Sequence, residues 1–239
     1  MIERLASIPS TNAALAERIT RGKFVSEGHW LIADRQTSGR GRQGREWLGG
    51  AGNLMGSTVV QPAFGDPPLS SLALVVGLAL IEAIAPFLQP PQQAQLKWPN
   101  DVMIGKAKLA GILLERVGDA VVIGIGVNLA AAPGLPDRET IALSAFGPAP
   151  DRDLFVTRLS ACLAEDIARW RSYGLGPIIA RWLAAAHPLG TPLEVGEPGE
   201  VPLIGTFAGL SGDGALLLKL AGATTRVIHA GEVRLATPD

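Results

Sequence analysis

Hydrophobic and polar positions follow a helical period in some parts of the chain and a strand period in others. Apolar residues at helical spacing, preceded by polar capping residues or by proline, mark four segments. The predicted helices are residues 10–21, 69–88, 151–173 and 178–186. The last of them is placed directly after Pro177, because proline suits the start of a helix. The most apolar run, residues 72–81, is roughly half of the ~20 residues that a membrane span needs, so we expect a buried helix there.

Short apolar runs joined by tight Gly, Asp and Asn turns predict an antiparallel sheet. The predicted strands are residues 29–34, 53–60, 96–98, 102–104, 109–115 and 121–129, and then 193–195, 203–207, 215–220 and 226–229. We therefore predict an α+β fold in two units. Residues 1–187 form a mixed, mainly antiparallel sheet with helices on one side, and residues 188–239 form a small β-barrel.

Composition and charge restrict the function. The formal net charge of -1 provides no global positive field for nucleic acid, so anion binding must come from a local cluster. The single cysteine, Cys162, excludes a disulfide within the chain and favours a reducing compartment. The first ten residues lack the apolar stretch of a signal peptide, and the three histidines show no metal-ligand spacing. These features predict a cytoplasmic protein without a metal site of its own.

A loop rich in glycine and arginine, Gly39-Arg40-Gly41-Arg42-Gln43-Gly44-Arg45-Glu46-Trp47, is the most informative segment. Three cationic side chains repel one another unless an anion balances them, and guanidinium groups pair well with carboxylates and phosphates. The glycines allow backbone N–H groups to approach such an anion, and Trp47 offers a flat face to a ring or a cation. A solvated or RNA-binding loop is the alternative, although the basic charge does not extend into a stripe.

Lys97 stands at the end of a predicted buried strand, in the run Lys97-Trp98-Pro99-Asn100-Asp101. A lysine held there suits a phosphate or a developing oxyanion. The alternative for Lys97 is a side chain that only reaches water. Asn100 and Asp101 could be ordinary turn residues, and that role is favoured for Asp101.

Glycines interrupt two of the predicted apolar strands, at Gly111, Gly124 and Gly126. Glycine weakens a strand unless another group approaches the backbone there. A ligand on the concave face of the sheet would account for all three, and a helix packed over them is the alternative. Asn128, at the end of the second strand, could contact an adenine edge or only terminate the strand.

Taken together and in this order, the loop ending in Trp47, the run starting at Lys97 and the run of residues 108–113 resemble the biotin–protein ligases. The resemblance extends from about Ser10 to the C-terminal barrel and covers nearly the whole chain. It implies a catalytic domain like that of class II synthetases and an SH3-like C-terminal barrel. It also implies a reaction in which ATP, with Mg²⁺, converts biotin to biotinyl-5'-adenylate. A lysine of a biotin carboxyl carrier protein domain then attacks the adenylate and AMP leaves.

The same resemblance assigns residues to roles, with Lys97 and Arg42 as the catalytic pair. The implied biotin-binding residues are Ser10, Thr11, Asn12, Gln36, Gly39, Arg40, Gly41, Arg42, Lys97, Gly111 and Gly124. The implied ATP- or adenylate-binding residues are Arg40, Arg42, Arg45, Trp47, Lys97, Gly126 and Asn128. Gln43 occupies a position that is often basic in the family, which would slightly weaken the grip on an anion.

Two other functions remain open from the sequence. A lipoate or octanoate ligase has a related fold and similar adenylation chemistry, and a non-catalytic RNA- or phosphate-binding module could be built on the arginine loop. The matching segments begin within the first dozen residues, so we expect no operator-binding winged helix and no repressor activity. We expect no nucleic-acid or membrane partner, and either a monomer or a homodimer.

Overall fold

The computed structural model describes residues 1–136, 138–197, 201–222 and 224–236. The helices are α1 (Thr11–Thr20), α2 (Leu72–Ile84), α3 (Arg152–Tyr173) and α4 (Leu175–Ala185). The strands of the larger sheet are β1 (Ile2–Leu5), β2 (Trp30–Ala33), β3 (Leu54–Val60), β4 (Ala94–Lys97), β5 (Asp101–Ile104), β6 (Ala107–Val117) and β7 (Ala120–Val127). Those of the smaller sheet are β8 (Pro192–Gly196), β9 (Leu203–Leu210), β10 (Leu216–Leu220), β11 (Thr225–Ile228) and β12 (Glu232–Leu235).

The polar residues predicted to start two of the helices do so. The Ser10 hydroxyl accepts a hydrogen bond from the backbone N–H of Ala13, and the Asp151 carboxylate accepts from those of Asp153 and Leu154. Each cap satisfies donors that the first turn of a helix cannot pair internally. The cap at Ser10 also fixes where α1 begins, and so where the side chains of Thr11 and Asn12 lie.

The larger sheet has the strand order β1-β2-β3-β7-β6-β5-β4, in which β1 and β2 pair in parallel and every other pair is antiparallel. The smaller sheet is antiparallel throughout, in the order β11-β10-β9-β8-β12. The predicted α+β class is therefore confirmed. The predicted division at residue 187/188 falls in the connection between α4 and β8.

Helices cover both faces of the larger sheet. Helices α2, α3 and α4 share one large core with alternate residues of the strands, such as Trp30 and Ile32. Helix α1 lies on the opposite face, where Leu15 packs with Leu31. Successive strand residues point to opposite faces, which is why neighbours in β2 belong to different cores. The prediction of helices on one side thus holds for three helices, and α1 is the exception.

Helix α2 and its flanking turns, Leu69–Phe87, form one stretch of the described chain that is apolar and long enough to cross a membrane. Most of this stretch is buried inside the protein. Ten residues of α2 itself are buried, and the helix packs against α3, α4 and the sheet. The sequence-based expectation of a buried helix is confirmed.

The sequence analysis missed two strands and misplaced the start of one helix. Strands β1 and β12 were not predicted, because each has only four residues, most of them at least partly exposed, and lies at the edge of its sheet. Helix α4 begins at Leu175, two residues before Pro177, and ends at Ala185. Proline is tolerated there because the first four N–H groups of a helix have no partner within the helix.

Candidate functional site

A cavity of about 320 Å³ opens on the face of the larger sheet that carries α1. This volume lies within the usual range of small-molecule sites. Strands β6 and β7 form its floor, the start of α1 closes one end, and the loop of residues 40–48 lies over it. Glu232 and Val233 of the smaller sheet complete its rim.

Uncharged polar side chains form a hydrogen-bonded cluster at the α1 end of the pocket. The Gln36 amide oxygen accepts from the Thr11 backbone N–H and hydroxyl, at 2.8 and 3.1 Å. The Ser57 hydroxyl lies 2.7 Å from the Thr11 hydroxyl and donates to the Asn12 amide oxygen at 2.5 Å. The Asn12 amide nitrogen donates to Glu115 at 2.7 Å. These mutual bonds fix the orientation of each side chain before a ligand arrives.

The glycines of the floor make room for side chains that lie across the sheet. A Cβ added at Gly126 would be 2.2 Å from the Trp47 ring, and one at Gly111 would be 3.1 Å from it. A Cβ at Gly124 would be 2.5 Å from the Asn12 amide oxygen. Helix packing therefore accounts for Gly124, through Asn12 of α1. The indole of the arginine loop accounts for Gly126, and the indole together with the Lys108 side chain accounts for Gly111. Neither sequence-based alternative had proposed these contacts.

Asp101 joins two lysines at the centre of the pocket. Its carboxylate oxygens lie 3.0 Å from Lys97 Nζ and 2.5 Å from Lys108 Nζ. Burial alone would raise the pKa of the Asp101 carboxyl, but Lys108 and Lys97 outweigh it and hold that pKa well below its usual range. Burial lowers the pKa of the Lys108 ammonium, although Asp101 opposes the shift. Asp101 is therefore more than the turn residue that the sequence favoured.

The three arginines of the loop differ in what balances their charge. Arg45 forms an ion pair of 2.5 Å with Glu232, and Arg40 lies 3.7 Å from Glu115. Arg42 makes no ion pair among the described residues, and the hydrogen-bond partners of its guanidinium are neutral: the Asn100 side-chain oxygen and the Gly231 carbonyl, both at 3.2 Å. Burial lowers the pKa of the Arg42 guanidinium, which nevertheless stays protonated at neutral pH. Arg42 is thus the loop arginine best placed to bind an external anion.

The C-terminal unit contacts residues of the pocket from outside the larger sheet. Lys97 Nζ donates to the Val233 carbonyl at 2.9 Å, and Trp98 Nε1 donates to the Gly214 carbonyl at 3.1 Å. The contacts of Arg42 and Arg45 with residues 231 and 232 add to these. Two side chains with proposed catalytic roles, Lys97 and Arg42, are therefore positioned in part by the C-terminal unit.

Two buried polar atoms of the pocket have neither a hydrogen-bond partner nor an ion-pair partner within the described residues. They are Trp47 Nε1, a donor, and Asn128 Oδ1, an acceptor. The Asn128 amide nitrogen donates to the Ile141 carbonyl at 3.2 Å, which fixes the orientation of this side chain. Buried polar groups are rarely left unpaired in native proteins, so these atoms indicate a ligand with complementary groups.

The structure brings almost all the residues singled out from the sequence into this one pocket. Those that line it are Ser10, Thr11, Asn12, Gln36, Arg40, Gly41, Arg42, Arg45, Trp47, Lys97, Gly111, Gly124, Gly126 and Asn128. Gly39 lies just outside the lining, where its carbonyl accepts from the Trp47 N–H at 2.9 Å. Sequence reasoning did not assign site roles to Ser57, Asn100, Asp101, Lys108, Arg138 and Glu232, which also line the pocket. A signal existed only for Asn100, Asp101 and Lys108, which lie in motifs already singled out.

The contact between Trp47 and Gly126 gives a first prediction. Replacing Gly126 with alanine should push the indole out of its place, because the added Cβ would overlap the ring. Overpacking of this kind costs about 1–3 kcal/mol of stability. We expect a lower free energy of unfolding in urea. We also expect the Trp47 fluorescence to shift to longer wavelength, where the Trp47 signal is obtained by subtracting the spectrum of the corresponding Trp47→Phe variant.

Gly147→Ala is the matched control, since nothing lies within 4 Å of the position that its Cβ would take. Its unfolding free energy should stay within about 0.5 kcal/mol of the unmodified protein. An unchanged spectrum and an unchanged unfolding free energy for Gly126→Ala would contradict the packing described above.

The sequence and the structure of the chain were compared with those of known proteins. Residues 5–128 match the model of the biotin/lipoate A/B protein ligase family, and residues 197–235 match that of the biotin protein ligase C-terminal domain. A biotin–[acetyl-CoA-carboxylase] ligase of Paracoccus denitrificans is 38% identical over 240 residues, covering 96% of this chain and 98% of that protein. The corresponding ligase of Mycobacterium tuberculosis is 36% identical, covering 97% and 88%.

Similarity extends to a solved structure, the biotin protein ligase of Aquifex aeolicus in complex with biotin and ATP. It superimposes with a TM-score of 0.85 at 29% identity, over 98% of this chain and 99% of that one. The family model spans more than half of the chain, and the relatives match nearly all of it. This chain belongs to the biotin/lipoate A/B protein ligase family.

Proposed function

We propose that this protein is a biotin–protein ligase, which activates biotin with ATP and transfers it to a lysine of a biotin carboxyl carrier protein domain. The observation that carries the proposal is the order of chemical environments along one pocket. A neutral polar cluster lies at one end, a cationic cluster beside the Trp47 indole lies at the centre, and the unpaired amide oxygen of Asn128 lies at the other end. Biotinyl-5'-adenylate presents its ureido ring, its acyl phosphate and its adenosine in that same order.

The length of the pocket supports this assignment. Gly124, beside Asn12, and Asn128 are four residues apart at the two ends of the floor. At about 3.3 Å per strand residue, they are separated by roughly 13 Å. A ligand that contacts both ends must therefore be elongated, as an acyl adenylate is.

The α1 end suits the ureido ring of biotin. This ring carries two N–H donors and one carbonyl acceptor, so it needs a few neutral partners in fixed positions. The hydroxyl and amide groups of Thr11, Gln36 and Ser57 are of that kind, and their mutual hydrogen bonds hold them in place.

The centre of the pocket suits the reacting groups. Lys97, Lys108, Arg42 and Asp101 together carry a net charge of +2, taking each group in its ionised form. A biotin carboxylate and an ATP triphosphate repel each other, and positive charge between them offsets that repulsion. Lys97 and Arg42 are held by neutral carbonyl and amide acceptors as well as by Asp101. They are therefore preorganised to stabilise charge that develops on the α-phosphate.

The chemistry needs no covalent intermediate with the protein. An oxygen of the biotin carboxylate attacks the α-phosphorus of ATP, the bond to the β-phosphate bridge breaks, and pyrophosphate leaves. The neutral amine of the carrier lysine then attacks the acyl carbon, an amide bond forms, and AMP leaves with the electrons of the broken C–O bond. The amine proton passes to solvent.

Mg²⁺ enters as part of the nucleotide substrate. No group of three His, Cys, Asp or Glu side chains that could hold a metal occurs within the described ranges of the chain. Mg²⁺ is commonly bound through substrate phosphates, with few protein ligands and several waters. A triphosphate therefore suits this site as the principal carrier of the ion.

Other properties of the protein are proposed together with this function. The carrier is the biotin domain of acetyl-CoA carboxylase or of another biotin-dependent carboxylase, consistent with the acceptor in the names of both relatives. The ligase works in the cytoplasm as a monomer or a homodimer, with neither nucleic acid nor membrane as partner. Residues 1–187 bind biotin and ATP, and residues 188–239 form the C-terminal unit.

The direct test is to incubate the purified protein with MgATP and one acid at a time: biotin, lipoate or octanoate. We expect biotinyl-5'-adenylate and pyrophosphate from biotin alone, and transfer of biotin to a carrier domain added afterwards. Product from lipoate or octanoate without product from biotin would reassign the chain within its family. No adenylate from any acid, together with salt-dependent RNA binding, would support the non-catalytic alternative.

A pair of arginine variants shows that the activity comes from this pocket. Arg42→Ala should reduce adenylate formation about tenfold, because one charge-assisted contact to the anion is lost. Arg35→Ala changes an exposed arginine outside the pocket lining and should have no effect.

A further inference from the structure

Asn53, which does not line the pocket, holds one of the pocket walls through its side chain. It precedes β3 and is only 1% exposed. Its amide oxygen accepts from the backbone N–H groups of Ala130 and Ala131, at 2.9 and 3.0 Å. Its amide nitrogen donates to the Ala131 carbonyl at 2.7 Å. All three bonds go to the start of the segment that follows β7.

That segment, residues 130–141 with residue 137 outside the described part, supplies Pro133, Leu135, Arg138 and Thr140 to the pocket lining. Its far end is pinned to the floor: Ile141 N–H donates to the Lys108 carbonyl, and Lys108 N–H donates to the Glu139 carbonyl. Its near end is attached through Asn53 and through the Ser144 hydroxyl, which donates to the Ala130 carbonyl at 2.8 Å. Without Asn53, one of the two anchors would lose three of its hydrogen bonds.

The turn that follows the arginine loop packs on the same two alanines. A Cβ added at Gly52, whose φ is +82°, would lie 2.8 Å from the Ala130 side chain, and one at Gly50 would lie 3.4 Å from that of Ala131. Asn53 N–H donates to the Gly50 carbonyl at 3.1 Å. Asn53 therefore stands where the end of the arginine loop meets the wall segment.

We propose that Asn53 is a positioning residue for the nucleotide, which acts by holding the wall segment of residues 130–141 against the adenosine end of the pocket. This inference rests on the proposed ligase function. The wall segment lies beside Asn128 and Lys108, whereas the Thr11 and Gln36 cluster is at the opposite end. Loss of Asn53 should thus weaken ATP binding much more than biotin binding.

The test compares Asn53→Ala, Asn53→Asp and a matched control in the same steady-state assay. Asn53→Ala should raise the KM for ATP about tenfold, with the KM for biotin and kcat changed less than about threefold. Asn53→Asp keeps an oxygen for the two alanine N–H groups and should recover part of the loss. Ser71→Ala is the control, because it removes a buried hydroxyl that contacts Trp170 in the α2–α3 interface; it should lower stability without changing the KM for ATP.

Hydrogen exchange of the ligand-free proteins provides a readout independent of catalysis. The Ala130 and Ala131 amides should exchange faster in Asn53→Ala, remain partly protected in Asn53→Asp, and be unchanged in Ser71→Ala. If Asn53→Ala does not fold, Asn53→Asp should show the same changes with smaller amplitude.

Unchanged exchange and an unchanged KM for ATP in both Asn53 variants would overturn the inference. So would equal losses in both KM values and in kcat, because a general structural defect would produce them. Absence of biotin adenylation by the unmodified protein would instead refute the proposed function, and the exchange data would still decide whether Asn53 anchors the wall.

Discussion

Lys97→Ala is expected to slow biotinyl-adenylate formation by about 10²–10³-fold, the usual cost of losing one preorganised charge-stabilising donor. The Lys97 ammonium is mostly buried, and Asp101 and the Val233 carbonyl account for two of its three donors. The third donor remains for an anion in the pocket. Such a group needs no reorganisation when charge develops on the α-phosphate, so its loss should appear in the rate of the chemical step.

Single-turnover measurements separate the two half-reactions. The rate of adenylate formation should fall most. The rate of transfer from biotinyl-adenylate that is added to the enzyme should fall less, because in that step the phosphate is part of the leaving AMP and is not attacked. Lys106→Ala is the matched control, because Lys106 is exposed in the turn between β5 and β6, two residues from Lys108. Its rates should equal those of the unmodified protein.

A structural role for Lys97 predicts a different result. Lys97 connects the two sheets through its hydrogen bond to the Val233 carbonyl, and on this alternative it contributes to stability but not to catalysis. In that case Lys97→Ala would lower the free energy of unfolding. The rate of adenylate formation would stay within about threefold of that of the unmodified protein, which corresponds to less than the 1.4 kcal/mol of a tenfold change. That outcome would remove Lys97 from the catalytic proposal.

The sequence predicts what depends on local pattern. Helix α1 and its cap at Ser10 follow from polar residues placed before an apolar period. The hairpins of β4 to β7 follow from apolar runs separated by turn residues. Residues of the pocket that lie in these segments could be singled out because glycine, arginine and lysine are unusual in such positions.

The charge cluster at the centre required the register of the strands. Lys97 and Asp101 are direct partners across the β4–β5 hairpin, so a known turn length would have placed them together. Lys108 reaches Asp101 across the β5–β6 pair, whose register shifts between Val102 and Met103. No feature of the sequence signals that irregularity.

Contacts distant in sequence were beyond prediction for a different reason. Trp47 lies over Gly126, and Arg45 pairs with Glu232, although long stretches of chain separate the members of each pair. Local periodicity specifies which face of an element is apolar but not which distant side chain covers it. The contribution of the smaller sheet to the pocket therefore appears only in three dimensions.

Asp101→Asn should lower the free energy of unfolding by about 3–5 kcal/mol at neutral pH, the cost of breaking a buried ion pair by removing one partner. Asp101 is 9% exposed and is the counter-ion of both Lys97 and Lys108. Release of a proton from Lys108, whose pKa burial already lowers, would limit this loss of stability. The same release would reduce the positive charge of the pocket, so adenylate formation should fall as well.

Asp119→Asn, in the exposed turn between β6 and β7, is the matched control and should leave stability unchanged within about 0.5 kcal/mol. Urea denaturation at pH 7 gives the size of the effect for both variants. A loss below about 1 kcal/mol for Asp101→Asn would place the pair among weak surface ion pairs and contradict its buried geometry.

The pH dependence identifies the ionised carboxylate as the source of this stability. Because the lysines hold the pKa of Asp101 below its usual range, the stabilisation is fully present above the unfolded-state pKa of about 3.9. As the pH falls below that value the unfolded chain binds the proton first, and the stabilisation is lost towards the lower folded-state pKa. The part of the unfolding free energy that comes from the ionised Asp101 carboxylate should therefore shrink as the pH falls below about 4, which brings the curves of the unmodified protein and of Asp101→Asn together in that range. Two parallel curves across the acid range would mean that Asp101 stabilises the fold by packing rather than by charge.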